Sequence, residues 1–187
     1  MVKRVEITSQ TKQNLIDAFW SLYCEKRIER ITVKEISDRA GYNRGTFYAY
    51  FTDVYDVLEQ IENSVIPTLD ELPPVSTPAG SFGMPLAKLN ELYKQNDKYY
   101  AVLLGDRGDP AFAGKLKNAV KPMLMQVLAD KPNVDRVELD YILEYTLSAM
   151  IGIMSYTYQH AEPLSNVQLQ ELVIRLMDQG VTKQLMP

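Results

Sequence analysis

TVKEISDRAGYNRGTFYAYF, residues 32–51, decides how the rest of the chain is read. Thr32 and Glu35 stand three residues apart, so each can satisfy a free backbone N–H of the other in a capping box, and a short helix starts there. Ile36 and Ala40 supply its inward face. Gly41 can take the left-handed conformation that ends a helix and turns the chain sharply. Asn43 is a good N-cap, which predicts a third helix from Arg44 to about Tyr50 with Phe47 and Phe51 on one side. Two short helices joined by a tight glycine turn form a helix-turn-helix. Glycine inside a helix costs roughly 1 kcal/mol relative to alanine, so something other than helix stability has chosen Gly45.

Outward from this stretch the chain reads as helix throughout. Leu15, Ala18, Phe19 and Leu22 recur at helical spacing and predict helix one over residues 9–27. Thr52 or Asp53 caps a fourth helix carrying Val54, Val57, Leu58, Ile61 and Val65 before Pro67. Residues 67–85 hold five prolines and no periodicity, as in a linker or ordered loop. Four further helices are expected at about 85–104, 109–130 with a kink near Pro122, 134–160 and 165–183. No strand pattern competes. The expected fold is therefore all-α: an N-terminal three-helix helix-turn-helix domain over 1–52 and a C-terminal helical domain over 53–187, with helix four, about 53–66, connecting them.

The bulk numbers agree with an ordinary globular protein: 187 residues, 46% hydrophobic. A single cysteine, Cys24, cannot form an internal disulfide, and no signal-like segment opens the chain, so a reducing cytoplasm is the expected location. No apolar run approaches the ~20 residues that span a bilayer, and no membrane partner is expected. Net charge is −4, but residues 1–51 carry nine Lys/Arg against six Asp/Glu, while the remainder carries eleven against eighteen. A basic head precedes an acidic body.

That asymmetry gives the opening stretch a physical meaning. A helix entering a DNA major groove must let backbone and short side chains approach base edges closely. Gly45, lacking a Cβ, permits the approach; Arg44 can bond a guanine edge or a phosphate, and Thr46 can donate to either. Tyr48 and Tyr50 offer a flat apolar body to neighbouring helices and a hydroxyl that reaches a phosphate, while Thr32 heads a second helix end. Phe47 and Phe51 read as core. Lys34 is either a solvated charge or a phosphate contact.

ITVKEISDRAGYNRGTFYAYFTDVYDVLEQI, residues 31–61, resembles the DNA-binding region of the TetR (tetracycline-repressor-like) transcriptional regulators. The shared pattern is a capped helix two, an alanine-glycine turn, a short recognition helix ending in Tyr-x-(His or Tyr)-Phe, and helix four directly after. It covers about residues 9–62. The resemblance implies phosphate contacts from Thr32, Tyr48 and Tyr50, and base or mixed contacts from Tyr42, Asn43, Arg44, Gly45 and Thr46. Where the family usually carries a phosphate-contacting lysine at the start of helix four, this chain has Val54 between Asp53 and Asp56, and Tyr50 stands where histidine is common.

In the body, Ser148, Gly152 and Ser155 fall on one face of an otherwise apolar helix, and small residues let helices approach closely. Leu169, Leu172, Val173, Leu176 and Met177 form a stripe on the last helix. These two helices suit either an intrachain core or an isologous four-helix interface in a homodimer; the resemblance implies the dimer. It also implies a small-molecule effector, for which Tyr99, Tyr100, Met123, Met125, Tyr145, Met150 and Met154 are candidate pocket residues, though ordinary core packing accounts for them equally. One histidine, His160, no glycine-rich phosphate loop and no metal-spaced His/Cys set leave an enzyme nothing to work with, so neither cofactor nor metal is expected. Two functions remain: a homodimeric repressor on a palindromic operator in double-stranded DNA, or a helical ligand-binding or protein-interaction module whose DNA head has weakened.

Overall fold

The computed structural model describes residues 2–71, 95–128, 135–160 and 164–179. Among them are eight α-helices and no strand. The chain divides into two compact units, Met1–Val65 and Ile66–Pro187.

The first unit holds α1 (Val2–Glu25), α2 (Val33–Ala40), α3 (Arg44–Tyr48) and α4 (Val54–Val65). α1 starts before residue 9, where its apolar stripe begins, because residues 2–8 contain no glycine or proline to break a helix. α1 packs on α2 and α4, and α2 on α3. Their shared interior is made by Leu15, Phe19, Leu22, Tyr23, Ile36, Phe47, Phe51, Val57, Leu58 and Ile61, all buried. At five residues α3 is far too short to be stable alone. Phe47 anchors it: the ring is fully buried and its centroid lies 5.4 Å from that of Phe51. Burying such a side chain contributes about 1.5–3 kcal/mol.

Each helix boundary has a chemical cause. Thr32 and Glu35 form the capping box expected of them. Gly41 sits at φ +75°, with its N–H on the Asp38 carbonyl and the Tyr42 N–H on the Ser37 carbonyl at 2.9 Å. That is a Schellman turn. Asp53 accepts from the Tyr55 and Asp56 N–H groups at 2.8 and 2.9 Å, while Asp56 accepts from the Thr52 N–H at 2.8 Å. Both carboxylates beside Val54 are thus engaged in capping α4. The Thr52 backbone bond, followed by the Gln60 amide, holds the Asp56 carboxyl below its ordinary pKa.

The second unit contains α5 (Asp97–Leu103), α6 (Phe112–Leu128), α7 (Arg136–Gln159) and α8 (Asn166–Gln179). Residues 85–94 of the expected fifth helix lie outside the described residues. α6 runs through Pro122 as one helix. α6 and α5 both pack on α7. Leu128, Leu139 and Leu143 form a buried cluster against which Leu124, Met125, Met150 and Val173 lie. At the surface of this seam Lys121 binds Asp140 at 2.9 Å and Glu144 at 3.1 Å, and Lys117 joins Glu144. The Tyr158 hydroxyl donates to Asp97 at 2.6 Å, tying α7 to α5; burial, then the carboxylate, pushes the phenol far above its ordinary pKa.

Candidate nucleic-acid interface

The turn between α2 and α3, together with α3 itself, carries most of the residues expected to meet DNA, and their environments separate them. Asn43 caps α3: its Oδ1 accepts from the Thr46 N–H at 2.8 Å and from the Thr46 hydroxyl at 3.2 Å. The Asn43 amide NH2 then has no partner among the described residues and stands exposed, a donor pair facing solvent. Thr46 is placed otherwise than expected. Its hydroxyl proton points at the cap, so in this arrangement its oxygen is an acceptor, and donation to a base or phosphate requires the hydroxyl to rotate.

Gly45 is exposed, and a Cβ there would come within 3.1 Å of Asn43 Oδ1, with nothing else inside 4 Å. The missing methyl therefore leaves room for the cap as well as for close approach from outside. Arg44 is exposed beside it. Neither Arg44 nor Lys34, exposed on α2, has an acidic partner among the described residues. Two other basic groups of this unit are engaged: Lys26 bonds Glu35 at 2.6 Å, and Arg39 bonds Glu25 at 3.0 Å and Ser21 at 2.8 Å. Ion pairing thus sorts the basic residues into structural and available ones, a distinction that charge counting does not make.

Thr32 carries a constraint. Its hydroxyl accepts from the Glu35 N–H at 3.2 Å and donates to Glu35 Oε2 at 3.0 Å. The cap itself uses the hydroxyl oxygen and the Thr32 N–H, so only the Glu35 carboxylate competes with a phosphate for the hydroxyl proton. Lys26, and after it Thr32, hold the Glu35 carboxyl below its ordinary pKa, so the cap stays a carboxylate well into the acid range. The aromatics divide as well: Phe47 is buried while Tyr48, packed edge-on against it at 5.6 Å, is 58% exposed. Tyr50 is half-buried, next to Phe51. Tyr42 is half-buried and tied to α1 by the Asn14 amide, which donates to its hydroxyl oxygen at 3.0 Å.

Among the described residues, those expected to line an effector pocket stand in different surroundings. Tyr100 is buried against Phe112, with ring centroids 6.1 Å apart, and Met125 and Met150 pack on the Leu128 cluster. Tyr99 lies under the Lys98 ammonium, and Met123 and Met154 are half-buried. Tyr145 is 67% exposed, because its position on α7 points away from Leu143 and Leu147. A groove of about 860 Å³ runs along α6 and the start of α7, lined by Asn118, Lys121, Pro122, Met125, Gln126, Arg136 and Asp140. Of the expected residues only Met125 reaches it.

The expected dimer residues also divide. Ser155 donates to the Leu104 carbonyl at 2.7 Å and Ser148 accepts from Lys117 at 3.3 Å, both within the chain. Val173 packs on the Leu128 cluster, Leu169 and Leu172 are half-buried, and Leu176 is exposed. Gly152 is exposed, with nothing within 4 Å of where a Cβ would stand. Around it lie Val137, Tyr141, Tyr145 and Tyr156, an outward apolar line that sequence reading missed because α7 looks apolar around most of its circumference. Steps of four and seven residues through 137, 141, 145, 152 and 156 are the signal that would have found it.

Among the described residues no group of three His, Cys, Asp or Glu is placed to hold a metal, and no helix is long and apolar enough to cross a membrane. No curated protein matches the chain. Solved structures do. A TetR transcriptional regulator from Streptococcus agalactiae 2603V aligns with a TM-score of 0.66 at 19% identity, covering 94% of this chain and 97% of that one. The dihydroxyacetone kinase operon activator DhaS aligns at 0.63 and 20% identity, covering 95% and 98%. The fatty acid degradation regulator FadR from Bacillus halodurans aligns at 0.68 and 17%, covering 91% and 96%. At these identities the likeness establishes the fold. Function follows from the sequence families: residues 15–61 match the bacterial regulatory proteins of the tetR family, residues 85–179 match a TetR-type transcriptional regulator C-terminal region, and the chain belongs to the TetR family of DNA-binding transcriptional regulators.

Proposed function

We propose that this regulator is a homodimeric repressor that reads a palindromic operator through α3 and is released when a small molecule binds its body. The observation that carries the reading is the first turn of α3, where Arg44, Gly45 and the free Asn43 amide stand together exposed, with Lys34 nearby in sequence and likewise without an acidic partner among the described residues. Arg44 and Asn43 are the base-reading donors; Lys34, Tyr48, Tyr50 and, by turning its hydroxyl proton from Glu35 Oε2, Thr32 contact phosphate. A single small head making so few contacts binds weakly. Two linked heads gain from effective concentration, and two-fold symmetry sets half-sites about 34–36 Å, or a multiple of the helical turn, apart.

Support for the dimer is the apolar line Val137, Tyr141, Tyr145, Gly152 and Tyr156 on α7 together with exposed Val167 and Leu176 on α8, a self-complementary surface of the kind that isologous pairs bury. Repression needs only occupancy of the duplex, whereas activation needs a further contact with the transcription machinery. For release, the support is family membership together with the groove along α6, which joins apolar Pro122 and Met125 to charged Lys121 and Asp140. The regulator works in the cytoplasm and performs no catalytic step. Mobility shifts on duplexes selected from a random pool by the full-length protein test the reading. Arg44→Ala should lose about 1–3 kcal/mol if it reads a base, or weaken all sequences evenly with a shallower salt slope if it meets phosphate. Equal binding by variant and parent at every salt concentration would remove Arg44 and the α3 reading with it.

A further inference from the structure

Tyr42 is half-buried at the edge of the turn and held at both ends. Its N–H donates to the Ser37 carbonyl at 2.9 Å, and its hydroxyl oxygen accepts from Asn14 Nδ2 at 3.0 Å. Asn14 Oδ1 in turn accepts from Gln10 Nε2 at 2.9 Å. All three dipoles run the same way: Gln10 donates to Asn14, and Asn14 donates to Tyr42. A phenol has one proton to give, and since Asn14 occupies a lone pair as donor, that proton is left for another acceptor. Among the described residues it finds no acceptor. Each donation along such a chain strengthens the next donor, and the acceptor class that gains most from a polarised O–H is an anion.

We infer that Gln10 and Asn14 are positioning residues that aim the Tyr42 hydroxyl at a DNA phosphate. The inference rests on the DNA-binding reading above. Tyr42 immediately precedes the Asn43 cap and so lies outside the helix that reads base edges; its contact fixes register on the backbone and carries no sequence information. This also separates Tyr42 from the base contacts expected of its neighbours. A neutral hydroxyl releases no counterion, so its loss leaves the salt slope unchanged while lowering affinity at every salt concentration.

The test uses the full-length protein, a duplex it selects from a random pool and an unrelated duplex of equal length. Tyr42→Phe should weaken both roughly tenfold with the slope of log affinity against log salt unaltered. Asn14→Ala should weaken binding about threefold in the parent and by less than about twofold in the Tyr42→Phe background, since it acts through the hydroxyl. Asn14→Asp, isosteric and able to take the Tyr42 proton for itself, should cost more in the parent than in the Tyr42→Phe background, the difference removing plain charge repulsion. Equal losses for Asn14 variants in both backgrounds, or parental binding by Tyr42→Phe, would overturn the relay. If Arg44→Ala nevertheless weakens binding as proposed above, the regulator reading stands without it. A parent protein that retains no duplex at low salt brings down both.

Discussion

Two glycines four residues apart serve different physical needs. Gly41 is required by backbone conformation: at φ +75° an L side chain is strained, yet a Cβ there would meet nothing within 4 Å. Gly41→Ala should therefore destabilise the protein by about 1–2 kcal/mol, while Gly41→Asn, which tolerates the left-handed region, should lose clearly less. Denaturant midpoints measured on both variants check this, and equal losses would mean that the turn is limited by space and not by φ. Gly45 has ordinary backbone geometry, and its constraint is the Asn43 oxygen at 3.1 Å. The sequence shows both glycines but cannot tell these reasons apart. Gly41 follows a capped helix and reads correctly from its place in the chain, whereas the contact at Gly45 exists only once Asn43 has turned its side chain back onto Thr46.

At the scale of the element, α2 depends on a cap whose charge is set by its neighbours. Glu35 has its carboxyl held below the ordinary value of 4.5, first by the Lys26 bond and then by Thr32. A lowered folded-state pKa means that its stabilisation is complete above 4.5 and drains away as pH falls through the folded value. Glu35→Gln keeps a side chain able to reach the Thr32 N–H but loses the ion pair with Lys26. The variant should melt below the parent at neutral pH, and the gap should narrow as pH drops below about 4.5. Thermal melts across that range check it; a gap independent of pH would show that Glu35 contributes through shape alone. The capping box is legible in four letters of sequence. Its coupling to Lys26, nine residues away at the end of α1, is not.

At the scale of the whole molecule, the outward face of α7 carries the proposed dimer. Gly152 offers a direct probe, because no atom of its own chain lies within 4 Å of an added Cβ. Gly152→Leu should stabilise the isolated chain by about 0.5–1 kcal/mol, as removing a glycine from a helix interior does, yet dissociate the dimer in sedimentation and weaken operator binding with it. An intact dimer would move the interface off this face. The exposed tyrosines matter here. Tyr141 is 72% exposed and Tyr145 67%, two aromatic rings at successive turns of a long helix that the proposed dimer would cover.

Residues 32–51 by themselves determined the helix-turn-helix, because caps, a left-handed glycine and paired aromatics act over three or four residues and need no distant partner. Helical spacing likewise fixed the all-α class. The tertiary structure alone decided which polar groups remain available: that Arg39 and Lys26 are held by Glu25 and Glu35 while Arg44 and Lys34 are not, that Thr32 has its proton on Glu35, and that Tyr42 is gripped from α1 by Asn14. It alone also turned Tyr145 outward and Ser155 inward on one helix. A hydroxyl has one proton and a helix face one neighbour. Which partner takes them is settled by packing between segments far apart in the chain, and local pattern carries no record of that competition.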